Sequence, residues 1–252
     1  MRKEEVDKEN RIEHSHWWYV GTREICFDLM ERIIFNNKSR ASLQILDVGC
    51  GTGGNLEVYK KYGNAHGIDC DEHSLEYCRK KGLSVETGSM KELTGLGKQY
   101  EVISFFDVLN QIPISEQYEV LSQVKAVLSD NGYVVLREPA LGFFSGRHDR
   151  EVGIQVRYNR KKMRQLLEGS GLTIEFLSYI NFFLSIPIGI MRKYGLLFDK
   201  SPRSDVAETA APLNALLLGI LRLEKALLRW TTFPFGVSLV AIARKQTPAA
   251  PR

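Results

Sequence analysis

Short apolar runs alternate with longer amphipathic stretches along most of this chain. LQILDVG (43–49), AHGID (65–69), LSVETG (83–88), YEVISFF (100–106) and YVVLREP (133–139) are brief and mainly apolar, which predicts buried strands. Between them, GNLEVYKKYG (54–63), EHSLEYCRKKG (72–82) and SEQYEVLSQVKAVLSDNG (115–132) read as helices closed by glycine. Such alternation implies βαβ units and a parallel sheet covered on both faces. Ahead of this core, WWYVGTREICFDLMERIIF (17–35) sets Ile25, Leu29, Ile33 and Ile34 at helical spacing. Residues 1–16 are charged and are predicted to be frayed or loosely docked. Beyond the core, RKKMRQLLEGSG (160–171) predicts a helix and LTIEFLSYI (172–180) a strand. Residues 182–232 predict two helices around a polar loop at 199–210, and GVSLVAIARK (236–245) a last strand. One α/β domain with a late helical insertion accounts for this order: a cap helix within 1–40, a core at 41–181 and 233–246, and the insertion at 182–232.

Bulk composition narrows the class. Over 252 residues, 44% apolar content suits a globular chain rather than a disordered one. A net charge of +4 does not by itself imply nucleic acid. Cys26, Cys50, Cys70 and Cys78 form no C-x-x-C pair or metal-ligand spacing, so free thiols in a reducing cytosol, and no bound metal, are expected. The polar N-terminus lacks a signal-peptide core, and no run reaches the roughly 18 uncharged apolar residues of a membrane span. A cytoplasmic protein is the expectation.

The chemistry begins at Asp47-Val-Gly-Cys-Gly-Thr-Gly-Gly54, a glycine loop between a strand and a helix. Such a loop lets a ligand approach bare backbone at a helix N-terminus. Gly49, Gly51 and Gly54 also satisfy the dinucleotide pattern G-x-G-x-x-G, with Asp69 about 20 residues on to grip a ribose. Asp47 separates the two ligands. A carboxylate two residues before the first glycine would repel a pyrophosphate. It suits a ligand carrying an ammonium and a sulfonium, as S-adenosylmethionine (SAM) does.

ILDVGCGTGGN (45–55) and GIDCDEHSLEYCRKKG (67–82) resemble the first two motifs of the class I SAM-dependent methyltransferases. FFDVLNQIP (105–113) resembles their segment after the fourth strand, and VLSDNGYVVLREP (127–139) their turn into the fifth. HWWYVGTR (16–23), residues 145–187 and PFGVSLVAIARK (234–245) resemble a bacterial biosynthetic branch of that family, so the likeness covers nearly the whole chain. The resemblance implies a Rossmann-like α/β sheet of seven strands in the order 3-2-1-4-5-7-6, with the seventh antiparallel. It places Gly49, Gly51 and Gly53 against the methionine moiety, Asp69 and Cys70 at the ribose, Ser89 and Met90 at the adenine, and Asp107 at the methionine end. It folds residues 16–23 over the cofactor, with Tyr19 and Arg23 as contacts and Arg23 reaching its carboxylate. Two positions depart from the pattern: Ser89 stands where the family usually has Asp, and Asn110-Gln111 where it has Glu-His.

For acid–base work the candidates are His148 and Asp149, in the loop after the fifth strand, where acceptors of α/β sheets bind. A neighbouring carboxylate can poise an imidazole near neutrality; the pair can equally serve as a solvated or structural bond. Glu138 reads as a structural or substrate-orienting acid. Arg157, Arg160, Lys161, Lys162 and Arg164 form a basic cluster, either a solvated face or a clamp for an anionic acceptor. PLNALLLGILRLEKALLRW (212–230) is apolar on most of its surface, with Arg222, Lys225 and Arg229 in one stripe. It reads as a packed helix, as a lid over an apolar acceptor, or as a helix on an anionic membrane. The resemblance implies methyl transfer from SAM to oxygen or nitrogen of a small-molecule acceptor, bulky, apolar or lipid- or sugar-linked. No Asn/Asp-Pro-Pro-aromatic tetrad and no appended basic domain points to nucleic acid.

Overall fold

The computed structural model describes residues 3–37, 43–145, 149, 153–198 and 209–246, with 192–198 described by backbone alone. Seven strands form one sheet: β1 (Leu43–Val48), β2 (Gly63–Asp69), β3 (Ser84–Thr87), β4 (Tyr100–Phe106), β5 (Leu128–Pro139), β6 (Leu172–Ile180) and β7 (Ser238–Lys245). Their spatial order is β3-β2-β1-β4-β5-β7-β6, as the resemblance implies. The first five strands run parallel, and β7 lies antiparallel to both β5 and β6. Strand order reverses between β1 and β4, so a crevice opens beyond their carboxyl ends.

Among the described residues the sheet is accompanied by α1 (Lys3–Ile12), α2 (Trp17–Ile33), α3 (Gly54–Tyr59), α4 (Glu72–Lys80), α5 (Ile114–Val127), α6 (Arg160–Gly169), α7 (Ser185–Phe198) and α8 (Ala211–Leu227). The continuous apolar character of β1, β4 and β7 follows from cover on both faces: Ile45, Leu46, Val102, Ile103, Phe105 and Val240 are all fully buried. α5 stops five residues earlier than its periodicity predicts. Leu128 already pairs with Tyr100, the next paired residues are Val102 and Tyr133, and Ser129–Gly132 bulge out with Asn131 at φ 59°. The Ser-Asp-Asn-Gly turn chemistry thus falls inside β5 rather than at the helix end.

Of the two expectations for residues 1–16, fraying and loose docking, fraying is corrected for the described residues 3–16. α1 is docked: Val6 and Ile12 are buried, and Asp7 Oδ1 lies 2.7 Å from both His73 Nε2 and Tyr77 Oη of α4. Two apolar residues in ten are too few to register as amphipathic periodicity, and the anchor is polar. His16 caps α2, its Nδ1 accepting from Trp18 N at 3.3 Å.

α8 packs on α2. Its basic stripe is spent there: Arg222 and Lys225 pair with Glu24, and Arg229 with Asp28. No described helix is long and apolar enough to cross a membrane. Two contacts fix this pairing. Gly21 lets Leu221 approach so closely that a Cβ there would lie 2.9 Å from Leu221 Cβ. Glu224, fully buried, accepts from the backbone N–H groups of Asn181, Phe182 and Phe183 at 2.5, 2.8 and 3.4 Å. Gly21→Val is therefore expected to destabilise the chain by about 1–3 kcal/mol through overpacking. Urea unfolding reads the loss, and Leu221→Ala in the same chain should restore part of it; additive losses would show that the two residues are uncoupled.

Candidate functional site

The glycine loop owes its shape to β1 and β2. Gly49 N and Cys50 N donate to Ile68 O of β2 at 2.8 and 3.1 Å, folding the chain back at the end of β1. Gly49, Gly51 and Gly53 have φ of 70°, 53° and 93°, the left-handed region where side chains are strained. A Cβ on Gly49 would strike Val108, and one on Gly53 would strike Leu83, but nothing lies within 4 Å of that position on Gly51. Gly51 thus presents bare backbone to open space.

Three carboxylates stand at the carboxyl ends of the neighbouring strands β2, β1 and β4. Asp47 lies opposite Ser104 in the β1–β4 register, so its Oδ1 accepts from Ser104 Oγ at 2.6 Å. Its Oδ2 is buried with no partner, and only 1% of the residue is exposed. Burial pushes this carboxyl up to about 7, against the easing effect of Ser104. Asp69 accepts from Gly51 N and from Asp71 N, both at 2.9 Å. These two bonds fix its orientation and leave acceptor capacity for two hydroxyls. Asp107 follows β4 at φ 62°, a strained conformation for a residue with a side chain. Its carboxylate pairs with Arg137.

Above this row lies the N-terminal segment. The Tyr19 phenol is pushed up by burial and by the charges of Glu9 and Asp107. Glu9 of α1 is raised to about 7 by loss of solvent and by Glu13 and Asp69. Arg23 Nη2 donates to Glu13 O at 3.1 Å and its Nε to Asn55 Oδ1 at 3.3 Å. Burial lowers its guanidinium, with Glu13 opposing. Glu13, itself buried, meets Lys81 Nζ at 2.6 Å, and the same Nζ donates to Thr52 O of the glycine loop at 3.0 Å.

Ser89 and Met90 follow β3, whose last residue Thr87 pairs with Asp69. Gly88 N donates to Asp69 O at 3.0 Å, which holds this segment beside the carboxylate row. Cys70 is exposed next to Asp69.

Beyond β5 the picture differs from the cofactor side. His148 lies outside the described residues. Asp149 is buried and accepts from both Nε and Nη2 of Arg157 at 2.6 Å, while Arg157 Nη1 donates to Ala140 O at 2.9 Å. That clamp ties the loop to the end of β5. Glu138 is a brace: fully buried, it accepts from Leu109 N, Asn110 N and Asn110 Nδ2 at 3.0, 3.2 and 2.7 Å. Burial, reinforced by Asp107, raises its carboxyl to about 8. The basic cluster divides. Besides Arg157, Arg160 donates to Phe233 O at 2.8 Å and Arg164 pairs with Glu168, leaving Lys161 and Lys162 on the exposed surface.

Sequence reasoning missed Glu9, Glu13 and Arg137. Arg137 carried a signal, a lone cation inside the apolar run of β5. In the structure its guanidinium sits over the Phe106 ring at 5.2 Å, donates to Thr22 Oγ1 at 3.2 Å and is held charged by Asp107 despite burial. Glu9 and Glu13 carried none, because they belong to an unbroken polar segment.

Asp47, Asp69 and Asp107 therefore stand at neighbouring strand ends beside the glycine loop, with Arg137 and Arg23 as half-buried cations. The partnerless Asp47 Oδ2 and the open Gly51 fit an ammonium-bearing, cationic nucleoside. Comparison with known proteins agrees. The sequence profile of a methyltransferase-domain family matches residues 19–176, more than half of the chain. A Rickettsia prowazekii ubiquinone biosynthesis O-methyltransferase is 27% identical over 151 residues, 54% of this chain and 59% of that protein. A Streptomyces venezuelae dTDP-3-amino-3,4,6-trideoxy-α-D-glucopyranose N,N-dimethyltransferase is 27% identical over 110 residues, 42% and 46% of the two chains. The chain thus spans about half the length of the curated relatives it matches. Among solved structures, a SAM-dependent methyltransferase from Archaeoglobus fulgidus has a TM-score of 0.54 at 18% identity, covering 88% of this chain and 94% of that one. The SAM-bound magnesium protoporphyrin IX methyltransferase of Synechocystis PCC 6803 has a TM-score of 0.54 at 13% identity, covering 90% and 81%. On the family match, and with the sheet order to support it, the chain belongs to the methyltransferase-domain family as a class I SAM-dependent methyltransferase.

Proposed function

We propose that this enzyme methylates an oxygen or nitrogen of a small-molecule acceptor. The observation that carries the reading is a buried, partnerless carboxylate oxygen at the strand end that leads into a glycine loop of positive φ. In SAM the sulfonium supplies an activated methyl group. The protein's part is to bind, align and exclude water. Asp47 would take the ammonium, Asp69 the ribose hydroxyls, Ser89 and Met90 the adenine side, and Arg23 or Arg137 the carboxylate. Tyr19 and Glu9 close the site from α2 and α1.

On transfer, the acceptor's lone pair forms the new bond to the methyl carbon, the carbon–sulfur bond breaks and its electrons stay on sulfur. The acceptor's proton leaves to a base or to water. His148 is the base in this proposal; its described neighbour Asp149 is held by Arg157, which also reaches Ala140 O just after β5. In this reading the described residues 182–198 and 209–232 lie on the acceptor side. Both curated relatives bear names that specify small-molecule methylation, of a nucleotide-linked amino sugar in one and in ubiquinone biosynthesis in the other.

Methyl-labelled SAM incubated with the purified protein and fractionated extract tests the acceptor class: label in the low-mass organic fraction supports it, and label in RNA or protein overturns it. Calorimetry tests the donor site. Asp69→Ala is expected to weaken SAM binding at least about tenfold, since the lost bonds go to a charged acceptor; an unchanged dissociation constant would remove Asp69 from that role.

Asp47→Asn separates binding from stability. An unfolded aspartate releases its proton near 3.8, whereas the folded carboxyl holds it to about 7. Between these values the folded chain keeps a proton that the unfolded chain has lost, so Asp47 makes stability fall as pH rises through this window. The Asn variant keeps an acceptor for Ser104 and removes the ion. It should melt higher than wild type at pH 8, by a margin that shrinks toward pH 5, and bind SAM more weakly. Equal melting temperatures at pH 8 would contradict a desolvated Asp47.

A further inference from the structure

Two grooves meet beyond the carboxyl end of β5. One, of about 620 Å³, is polar and runs along Asp149, Gln155, Arg157, Asn159 and Lys162. The other, of about 440 Å³, is walled almost wholly by apolar atoms of Phe143, Phe144, Ile186, Gly189, Ile190 and Phe235. Leu141 lines both, so the two grooves share a wall. Each volume lies in the range of roughly 300–1,000 Å³ usual for small-molecule sites.

The polar groove is attached to the reaction side of the sheet. Gln155 N and Val156 N donate to Asn110 O at 2.9 and 3.1 Å, and Asn110 belongs to the turn three residues after Asp107. The apolar groove leads away from that point between the turn after β5 and α7. Its mouth is greasy: Phe143, Ile186 and Ile190 are 62%, 65% and 51% exposed. At its floor Gly189 lets the Phe144 and Phe143 rings pack closely on α7, since a Cβ there would press on them at 3.2 and 3.3 Å. A glycine in the middle of a helix weakens that helix, so its presence here serves this close approach rather than helix stability.

Charge selects the head of the occupant. The polar groove sets the cations of Arg157 and Lys162 against the one carboxylate of Asp149, and the first turn of α6 carries Arg160, Lys161 and Lys162 with no acid. Arg157 is already satisfied by Asp149, which leaves Lys162 as the exposed cation of this groove. A chain that ran from here into the apolar groove would keep its charged end in the polar one and lose its apolar surface to Phe143, Ile186 and Ile190.

We infer that the acceptor is a single-chain amphiphile, its anionic head lying in the groove beside Lys162 and its alkyl or prenyl tail lying in the apolar groove between the turn after β5 and α7. The inference rests on the small-molecule methyltransferase reading and deepens it. The two are separable because SAM binding is measured on the same samples.

The probe is dodecyl phosphate below its micelle concentration, with butyl phosphate and inorganic phosphate as controls, titrated by calorimetry into the full chain with and without SAM. Dodecyl phosphate is expected to bind at least about tenfold more tightly than butyl phosphate, as burial of the added methylenes requires. Gly189→Leu, which fills the floor, should abolish that chain-length dependence and leave SAM affinity unchanged. Ile186→Asp, at an exposed position, gives the same test without touching the packed floor. Lys162→Glu should weaken dodecyl phosphate several-fold and leave dodecanol unaffected. Equal binding of the two phosphates, or chain-length dependence that survives both Gly189→Leu and Ile186→Asp, would overturn the tail groove. So would protein that sediments with phosphatidylglycerol vesicles through Ile186 and Met191 while ignoring dodecyl phosphate, since the face would then be a membrane contact. Loss of SAM binding by the wild-type chain would sink the methyltransferase reading instead.

Discussion

A buried carboxylate with one oxygen left over governs this structure. Asp47 sits at the end of a central strand, its Oδ1 accepting from Ser104 and its Oδ2 accepting from nothing. Holding such a group in the protein interior is costly unless it is paired or protonated. Its raised pKa records that cost, and a cationic ligand relieves it. The glycine backbone beside it, the acids at the ends of β2 and β4 and the cap of α1 and α2 all surround that one unfinished interaction. Local sacrifice of stability at a binding site is a general pattern in proteins.

Charge balance in the site is finer than a row of acids. Arg137 neutralises Asp107 from the neighbouring strand, and Arg23 and Lys81 neutralise Glu13 from below the glycine loop. Without those cations the acids would repel one another across a low-dielectric space. With them, Asp47, Asp69 and Glu9 remain as acids without a cationic partner of their own among the described ion pairs. The acceptor side follows another logic. There the acids are consumed internally: Glu138 braces the turn after β4, Asp149 clamps Arg157, and Glu224 caps the turn that leads to α7. Rigid walls around a pair of adjoining grooves are the result.

The glycine loop and the strand-end positions of its flanking acids were legible in the sequence. A glycine loop flanked by Asp47 and Asp69 occupies consecutive strand ends, so linear spacing encodes its geometry. The parallel sheet was equally legible, because strands buried on both faces are short apolar runs. The order β3-β2-β1-β4-β5-β7-β6 came from the resemblance and not from the pattern. Fraying of residues 3–16 was the clear failure. Glu9 and Glu13 stand in a polar stretch whose meaning appears only when α1 lies against α4, and nothing in their spacing announces that contact.

The sequence by itself determined the strand–helix alternation, the glycine turn and the identity of the acid at each strand end, because all three are set by neighbours in the chain. Tertiary structure alone decided which charges survive for function. Arg222, Lys225 and Arg229 look like a membrane stripe until α2 brings Glu24 and Asp28 to them, and Arg157 looks like a phosphate clamp until Asp149 takes it. Arg137 became a site residue by standing beside Asp107, and the two grooves arose from segments far apart in the chain that meet at Leu141. Electrostatic and apolar partnership depends on distance in space, which a linear pattern does not carry.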